Sequence, residues 1–382
     1  MKILVALLAC ALLLITLWDA FESVILPRRV SRRFRLTRVF YRYTWRSWSA
    51  VARQMRPGKR RQTYLGFYGP LSLLLLLAVW AFALIVGFAG LQWAAGSPLS
   101  TGNGTATFRT DLYMSGTNFF TLGLGDVTPR TPLARLLTVA EAGMGFGFLA
   151  MVIGYFPMLY QAFSRREVNI SLLDARAGSP PSAVELLRRY GHKQSLDALT
   201  QLLRDWEFWS AELLESHLSY PVLAYFRSQH NNQSWLAALT TILDACAMMI
   251  VATEGAPAWQ ARLTFAMARH AVVDLAQVYD APPRPPDPDR LPQGELSRLR
   301  STLAQTGLPF CDVEASDKKL AALRRNYEPY VNSLAGHFMV TLPSWCRAAK
   351  ALDNWQTTAW ERTPATFDLS ESAEEQNEEH SW

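Results

Sequence analysis

The hydrophobic positions of this chain fall into blocks. Leu71 to Trp93 has only Ser72 and Gln92 as polar interruptions, and Leu136 to Tyr160 carries a single charge, Glu141. At about 1.5 Å per helical residue, either block crosses the roughly 30 Å of a bilayer's hydrocarbon. A third block, Ile3 to Trp18, is shorter, continues through Phe21, Val24, Ile25 and Leu26, and runs into arginines. Its Leu7-Leu8-Ala9-Cys10 loosely imitates a lipoprotein cleavage box, but too few apolar residues precede Cys10 and Lys2 is the only charge before it. A first transmembrane helix within residues 1–27, with Asp19 and Glu22 near its end, fits better.

Beyond Phe163 the pattern turns amphipathic. Ser182 and Glu185 form a capping box ahead of Leu186 and Leu187, and Gly191 closes that helix. Leu196, Leu199, Leu203 and Trp206 recur at spacings of three and four, which predicts a helix from about Ser195 to His217. Further helices are expected over Ser234 to Thr253, Pro257 to Tyr279, Lys318 to Val340 and Ser344 to Trp355. Pro282 to Pro292 reads as a linker or exposed loop, and the tail 368–382 as acidic and disordered. Trp235 to Val251 is apolar but short and contains Asp244, which suits the buried helix of a soluble bundle. The expected fold is all-α: membrane helices with a re-entrant loop, followed by a helical domain over 164–367.

Charge then sets the topology. Thirteen Lys and Arg lie between Arg28 and Gln62 with no Asp or Glu among them, which accounts for the net charge of +6. Short loops rich in these residues stay cytoplasmic, so the N-terminus is expected outside, residues 28–66 inside, 94–132 outside, and everything after Phe163 in the cytosol of a bacterium bounded by its inner membrane. Phe34, Phe40, Tyr41, Tyr43, Trp45 and Trp48 are interleaved with these cations, which suits a helix resting on anionic lipid. Nucleic acid is not the expected partner, because the segment is tethered between two spans. The first span has no arginine ladder, which argues against a voltage sensor.

No enzyme chemistry stands out. Cys10, Cys246, Cys311 and Cys346 are far apart, and the six histidines are scattered. Gly143 to Phe148 falls inside a transmembrane block with the wrong spacing for a dinucleotide fingerprint. No cofactor and no resident metal are expected.

Between the second and third blocks lies DLYMSGTNFFTLGLGDVTP, Asp111 to Pro129. A loop whose successive carbonyls face one axis can replace the hydration shell of a cation. Gly123 and Gly125 can take the positive φ this demands without steric cost, and Thr121 adds a hydroxyl oxygen. The stretch resembles the pore-loop potassium channels, whose filter is usually written T-V-G-Y-G-D: Thr121, Gly123, Gly125 and Asp126 match, while Leu122 and Leu124 replace valine and the aromatic. TLGLGDVTP looks like the single-filter bacterial relatives of the two-pore-domain channels.

The resemblance covers a pore domain at 67–163, with an outer helix at 70–93, a pore helix at 111–120, a filter at 121–126 and an inner helix at 133–160. It implies K+ as the permeant ion, with Thr121, Leu122, Gly123, Leu124, Gly125 and Asp126 as the coordinating segment. Tyr113 and Ser115, with Thr117, fall where the pore helix supports the filter. Because each chain supplies one loop to a fourfold ring, a homotetramer follows. Glu141, about 12 Å into the third helix, either hydrogen-bonds behind the filter or reaches the outer interface. Gly143, Gly145, Gly147 and Gly154, with Pro157, serve either as a gating hinge or as close helix packing. The rival expectation is a membrane-anchored sensor or scaffold with a weakly selective or silent pore. The ligand or protein partner of the helical domain is not legible.

Overall fold

In the computed structural model the described residues are 1–26, 35–101, 105–190, 196–230, 232–305, 313–346 and 353–356. Arg28, Arg29, Arg32 and Arg33 of the basic block, Gly191, Cys311 and the acidic tail lie outside them. The chain is all-α and folds as two compact units: residues 1–162 together with 219–226, and 163–218 together with 227–382.

The first unit is built around one long apolar helix. Helix α1 is Lys2–Ala20, ending in a wider turn at Phe21–Ile25; α2 is Leu36–Gln54; and α3 is Lys59–Ala94. Helix α3 starts well before the expected residue 70, because the basic residues after Gly58 are good helix formers and Pro70 is tolerated within it. It packs closely on α1 through small residues: a side chain at Gly87 would meet Leu13 Cδ2 at 2.6 Å, and one at Gly90 would meet Ala9 Cβ at 3.1 Å. Leu13, Ala81, Leu84, Ile85, Phe88 and Phe119 form one buried cluster, and Ala20, Leu76, Leu77 and Trp80 another.

The amphipathic α2 is fastened by a carboxylate. Asp19 accepts from Thr37 N at 3.1 Å, Thr37 Oγ1 at 2.6 Å and Trp80 Nε1 at 3.0 Å. The carboxylate thus serves a free amide of the first turn of α2 and ties that helix to α1 and α3. One face of α2 turns its aromatics inward, Trp48 stacked on Tyr64 at 4.4 Å and Trp45 edge-on to Tyr68 at 4.8 Å. At 3.6 residues per turn Arg38, Arg42, Arg46 and Arg53 share a stripe, and all four are exposed.

A short connection contains β1 (Leu99–Thr101), α4 (Phe108–Phe119) and β2 (Val127–Pro129). Helix α5 then runs from Pro132 to Ala177, well past the expected end at 160. The structure describes four helices long and apolar enough to cross a membrane: Lys2–Ile25, α3, α5 and Trp235–Ala252. They differ in cover: 11% of the most apolar window is buried in α5, against 89% in Trp235–Ala252.

That last helix, α8, is the core of the second unit. Around it stand α6 (Ala183–Tyr190), α7 (Leu196–Ser219), α9 (Gly255–Val278), α10 (Gln293–Gln305), α11 (Val313–Arg325) and α12 (Glu328–Phe338). The expected single helix over Lys318 to Val340 is two, broken at Asn326 and Tyr327 ahead of Pro329, whose ring cannot continue a preceding turn. Ser344 to Cys346 are irregular instead of helical, and a short 3₁₀ turn occupies Asn354–Gln356. Trp345 O accepts from Val184 N at 3.3 Å, while the Trp345 ring lies beneath Arg290 and Arg324 at 5.7 and 5.6 Å.

Pro282 to Pro292 is irregular as expected but is more than a linker. Arg290 turns inward to Asp244 of α8 (Nη2 to Oδ2, 2.5 Å), Glu328 (3.3 Å) and the Pro343 carbonyl (3.0 Å). Asp244 is thus a buried charge with a partner, the condition under which a carboxylate is tolerated in a core.

His217 is buried against the start of this unit. Its Nδ1 lies 2.8 Å from Leu213 O and its Nε2 lies 3.4 Å from Arg166 Nη1, so the neutral ring donates to the carbonyl and accepts from the guanidinium. Burial and the Arg166 charge push the imidazole down to about 3. In the unfolded chain it protonates near 6.5. Between those values the unfolded state binds a proton that the folded state refuses, so stability is lost as pH falls, by about 1.4 kcal/mol per unit. From about pH 7.5 to about 4.5, the thermal midpoint of the full chain is expected to fall more steeply than that of His217→Gln. Parallel slopes would refute this role.

Candidate functional site

Helix α4 is a short helix with both ends built. Thr107 and Thr110 form its capping box, and Asp111 in its first turn is buried and accepts from Ser97 Oγ at 2.7 Å. At the other end Leu122 N donates to Thr117 O at 2.7 Å and Thr121 N to Asn118 O at 3.0 Å, with Thr121 at φ 57°. This is the paired closure in which a left-handed residue stops a helix, normally a glycine. A β-branched residue there carries strain. The Thr117 hydroxyl is used within α4, donating to Met114 O at 2.9 Å, so Thr117 serves the loop through its carbonyl.

From Thr121 onward the backbone alternates. Thr121, Gly123 and Gly125 have φ of 57°, 55° and 77°, while Leu122 and Leu124 are not in the left-handed region. A chain that changes hand at each residue turns its successive peptides the same way, amides to one side and carbonyls to the other. Positive φ at the two glycines costs little; at Thr121 it was not anticipated, and no local sequence signal for it exists apart from its place just after a helix.

Both sides of the loop are held. Beyond Asp126, β2 pairs antiparallel with β1, Thr128 opposite Ser100, and Arg130 N donates to Pro98 O at 2.8 Å. Tyr113 of α4 hydrogen-bonds Asp126. Behind α4, Ser115 Oγ lies 2.7 Å from Ile85 O of α3 and is hydrogen-bonded to Glu141 of α5. Glu141 is 1% exposed, which excludes its reading as a glutamate at the outer interface.

The glycines of α5 separate by position. At Gly145 an added Cβ would overlap the Phe119 carbonyl oxygen and sit 2.8 Å from the carbonyl carbon, whereas at Gly143 and Gly147 nothing lies within 4 Å. Close packing therefore accounts for Gly145 alone. Glu141, Gly145 and Phe148, spaced as one helical face, meet Ser115 and Phe119 of α4, with the Phe148 and Phe119 rings 5.6 Å apart. Among the described residues no three His, Cys, Asp or Glu side chains cluster as a metal site.

Residues 73–162, which hold α4, the alternating loop and the spans on either side, match the family model described as "Ion channel". The chain is also similar to an uncharacterized membrane protein of Bacillus subtilis, YdjJ, at 22% identity over 255 residues, covering 64% of this chain and 70% of that one. That alignment is longer than the matched ion-channel segment and so reaches beyond it. No solved structure matches the chain.

Proposed function

From the premise that residues 73–162 form an ion-channel domain in a membrane protein, we propose that this chain is one subunit of a K+-selective channel that conducts passively through a pore of four copies. The observation that carries the reading is the alternation of backbone hand from Thr121 to Gly125, which gives one chain a ladder of carbonyls on a single side. Four such ladders around an axis replace the hydration shell of a potassium ion. Thr121, Leu122, Gly123 and Leu124 supply the carbonyls, and Asp126 closes the ladder through Tyr113.

The surface of α5 supports several copies. Val139, Phe146 and Ile153 are 71, 67 and 63% exposed within one chain, on a helix that also carries the buried contact to α4. Small and apolar faces of this kind are covered by neighbouring helices or by lipid. The permeant ion needs no cofactor, and the activity is conduction rather than catalysis.

The basic α2 stripe supports the reading that this end of the membrane unit lies at the cytoplasmic face of a bacterial inner membrane, on anionic lipid, with the N-terminus outside and the C-terminal helical unit in the cytosol. Native mass spectrometry of the detergent-solubilised protein is expected to show four copies, and proteoliposomes a K+ flux exceeding that of Na+. A monomer or dimer without further association would overturn the reading.

A further inference from the structure

Residues 219–226 fold with the membrane unit although their neighbours in sequence on both sides, 163–218 and 227 onward, fold with the other. The segment is a short 3₁₀ turn, Pro221–Tyr225, with Val222, Leu223, Ala224 and Tyr225 buried. Its expected place was inside a C-terminal domain running from 164 to 367. Its composition, SYPVLAYF, gives no periodic pattern from which another place could be read.

The segment enters a seat made for it. The Tyr225 ring stacks on Tyr41 of α2 at 5.7 Å with a 9° interplanar angle, and meets Trp45 at 5.1 Å and Tyr68 of α3 at 5.0 Å. Beside Tyr68 the chain has Gly69, where a side chain would meet the Phe226 ring at 2.7 Å and the Tyr225 carbonyl at 3.1 Å. The glycine therefore leaves the room that Phe226 fills. At the other end, the Tyr220 ring meets Tyr155 of α5 edge-on at 5.5 Å.

Tyr155 sits where α5 is easiest to bend. Gly154 precedes it with nothing within 4 Å of its missing side chain, and Pro157 lies two residues on, inside the helix. Proline lacks the amide that would bond to the carbonyl four residues back, and its ring crowds that carbonyl, so helices yield at such points. One eight-residue segment therefore grips α2 and α3 by Tyr225 and Phe226 and supports α5 at its weak point by Tyr220.

We propose that Ser219 to Phe226 is the element through which the C-terminal helical unit controls the pore, as a leash fixed at both ends that supports the inner helix at Gly154 to Pro157. The proposal rests on the channel reading. A displacement of the segment removes the Tyr220 support and lets α5 bend relative to α3.

The test uses the full chain in lipid bilayers, comparing wild type with Tyr220→Ala, Tyr225→Ala and Gly69→Ala. The last pushes Phe226 from its seat without altering the segment itself. Severalfold changes in open probability, in the same direction for all three, are expected, with single-channel conductance and K+ over Na+ preference unchanged because the filter is untouched. Tyr220→Phe, which keeps the ring contact, is expected to behave as wild type.

Unchanged open probability in the three variants beside a conducting wild type overturns the leash and leaves the channel reading intact. If Tyr225→Ala fails to assemble, Tyr220→Ala and Gly69→Ala decide. If wild type itself carries no current, the channel reading fails, and hydrogen exchange on the same proteins judges the segment. Faster exchange around residues 151–161 in the variants supports it, and wild-type exchange there overturns it.

Discussion

Gly123→Ala is expected to abolish K+ flux. At φ 55° the residue sits in the left-handed region, and nothing lies within 4 Å of the place where a Cβ would project, so the loss comes from the backbone and not from a clash. That conformation costs an L-residue about 1–2 kcal/mol, hence about 4–8 kcal/mol over the four copies proposed. At about 1.4 kcal/mol per factor of ten, even the lower figure leaves the aligned ladder in a small minority, and flux is expected to fall at least about a hundredfold. Thr121 bears comparable strain, but there the amides of Thr121 and Leu122 close α4 and hold it. Leu124→Tyr leaves the ladder alone: the Leu124 side chain is exposed, and conduction is expected to survive with equal or sharper discrimination against Na+. Comparison of both variants in the same proteoliposomes, after each is shown to assemble, checks the pair. Normal conduction by Gly123→Ala would remove these carbonyls from the ion path.

What the chain revealed in advance follows from range of interaction. Spans are read from hydropathy because the bilayer imposes a length, and the cap of α6 is read because its partner lies three residues away. Gly123 and Gly125 stand out because glycine is the residue that pays least for positive φ. What stayed hidden depends on distant partners. Arg290 lies in a proline-rich loop and gives no local sign that Asp244, 46 residues earlier, awaits it. Trp345 sits in irregular chain because its ring is taken up by two arginines and its carbonyl by α6. The segment 219–226 is too short for periodicity, and the glycine that admits it is 157 residues from Phe226 in sequence. Small residues on α5 raised the alternatives of hinge and packing together, and only the position of α4 separates Gly145 from its neighbours.

Gly145 is where the second large effect is expected. The atoms nearest to an added Cβ are the carbonyl oxygen, carbonyl carbon and Cα of Phe119, all backbone, so no flexible side chain can give way. Either α5 or the end of α4 must move, and Phe119 is two residues from Thr121. Movement there opens the seam that Glu141 and Ser115 close, and with it the Ser115 contact to Ile85 O that fixes α4 on α3. Overpacking of this kind costs about 1–3 kcal/mol per site, which in the fourfold assembly proposed above is enough to displace the loop. Gly145→Ala is therefore expected to lose conduction and to lower the thermal midpoint of the assembled protein, while Gly143→Ala and Gly147→Ala, with open space around them, keep both near wild type. The reverse pattern, a conducting Gly145→Ala with Gly143→Ala or Gly147→Ala silent, would assign these glycines to a hinge in α5 and sink the packing account of the site.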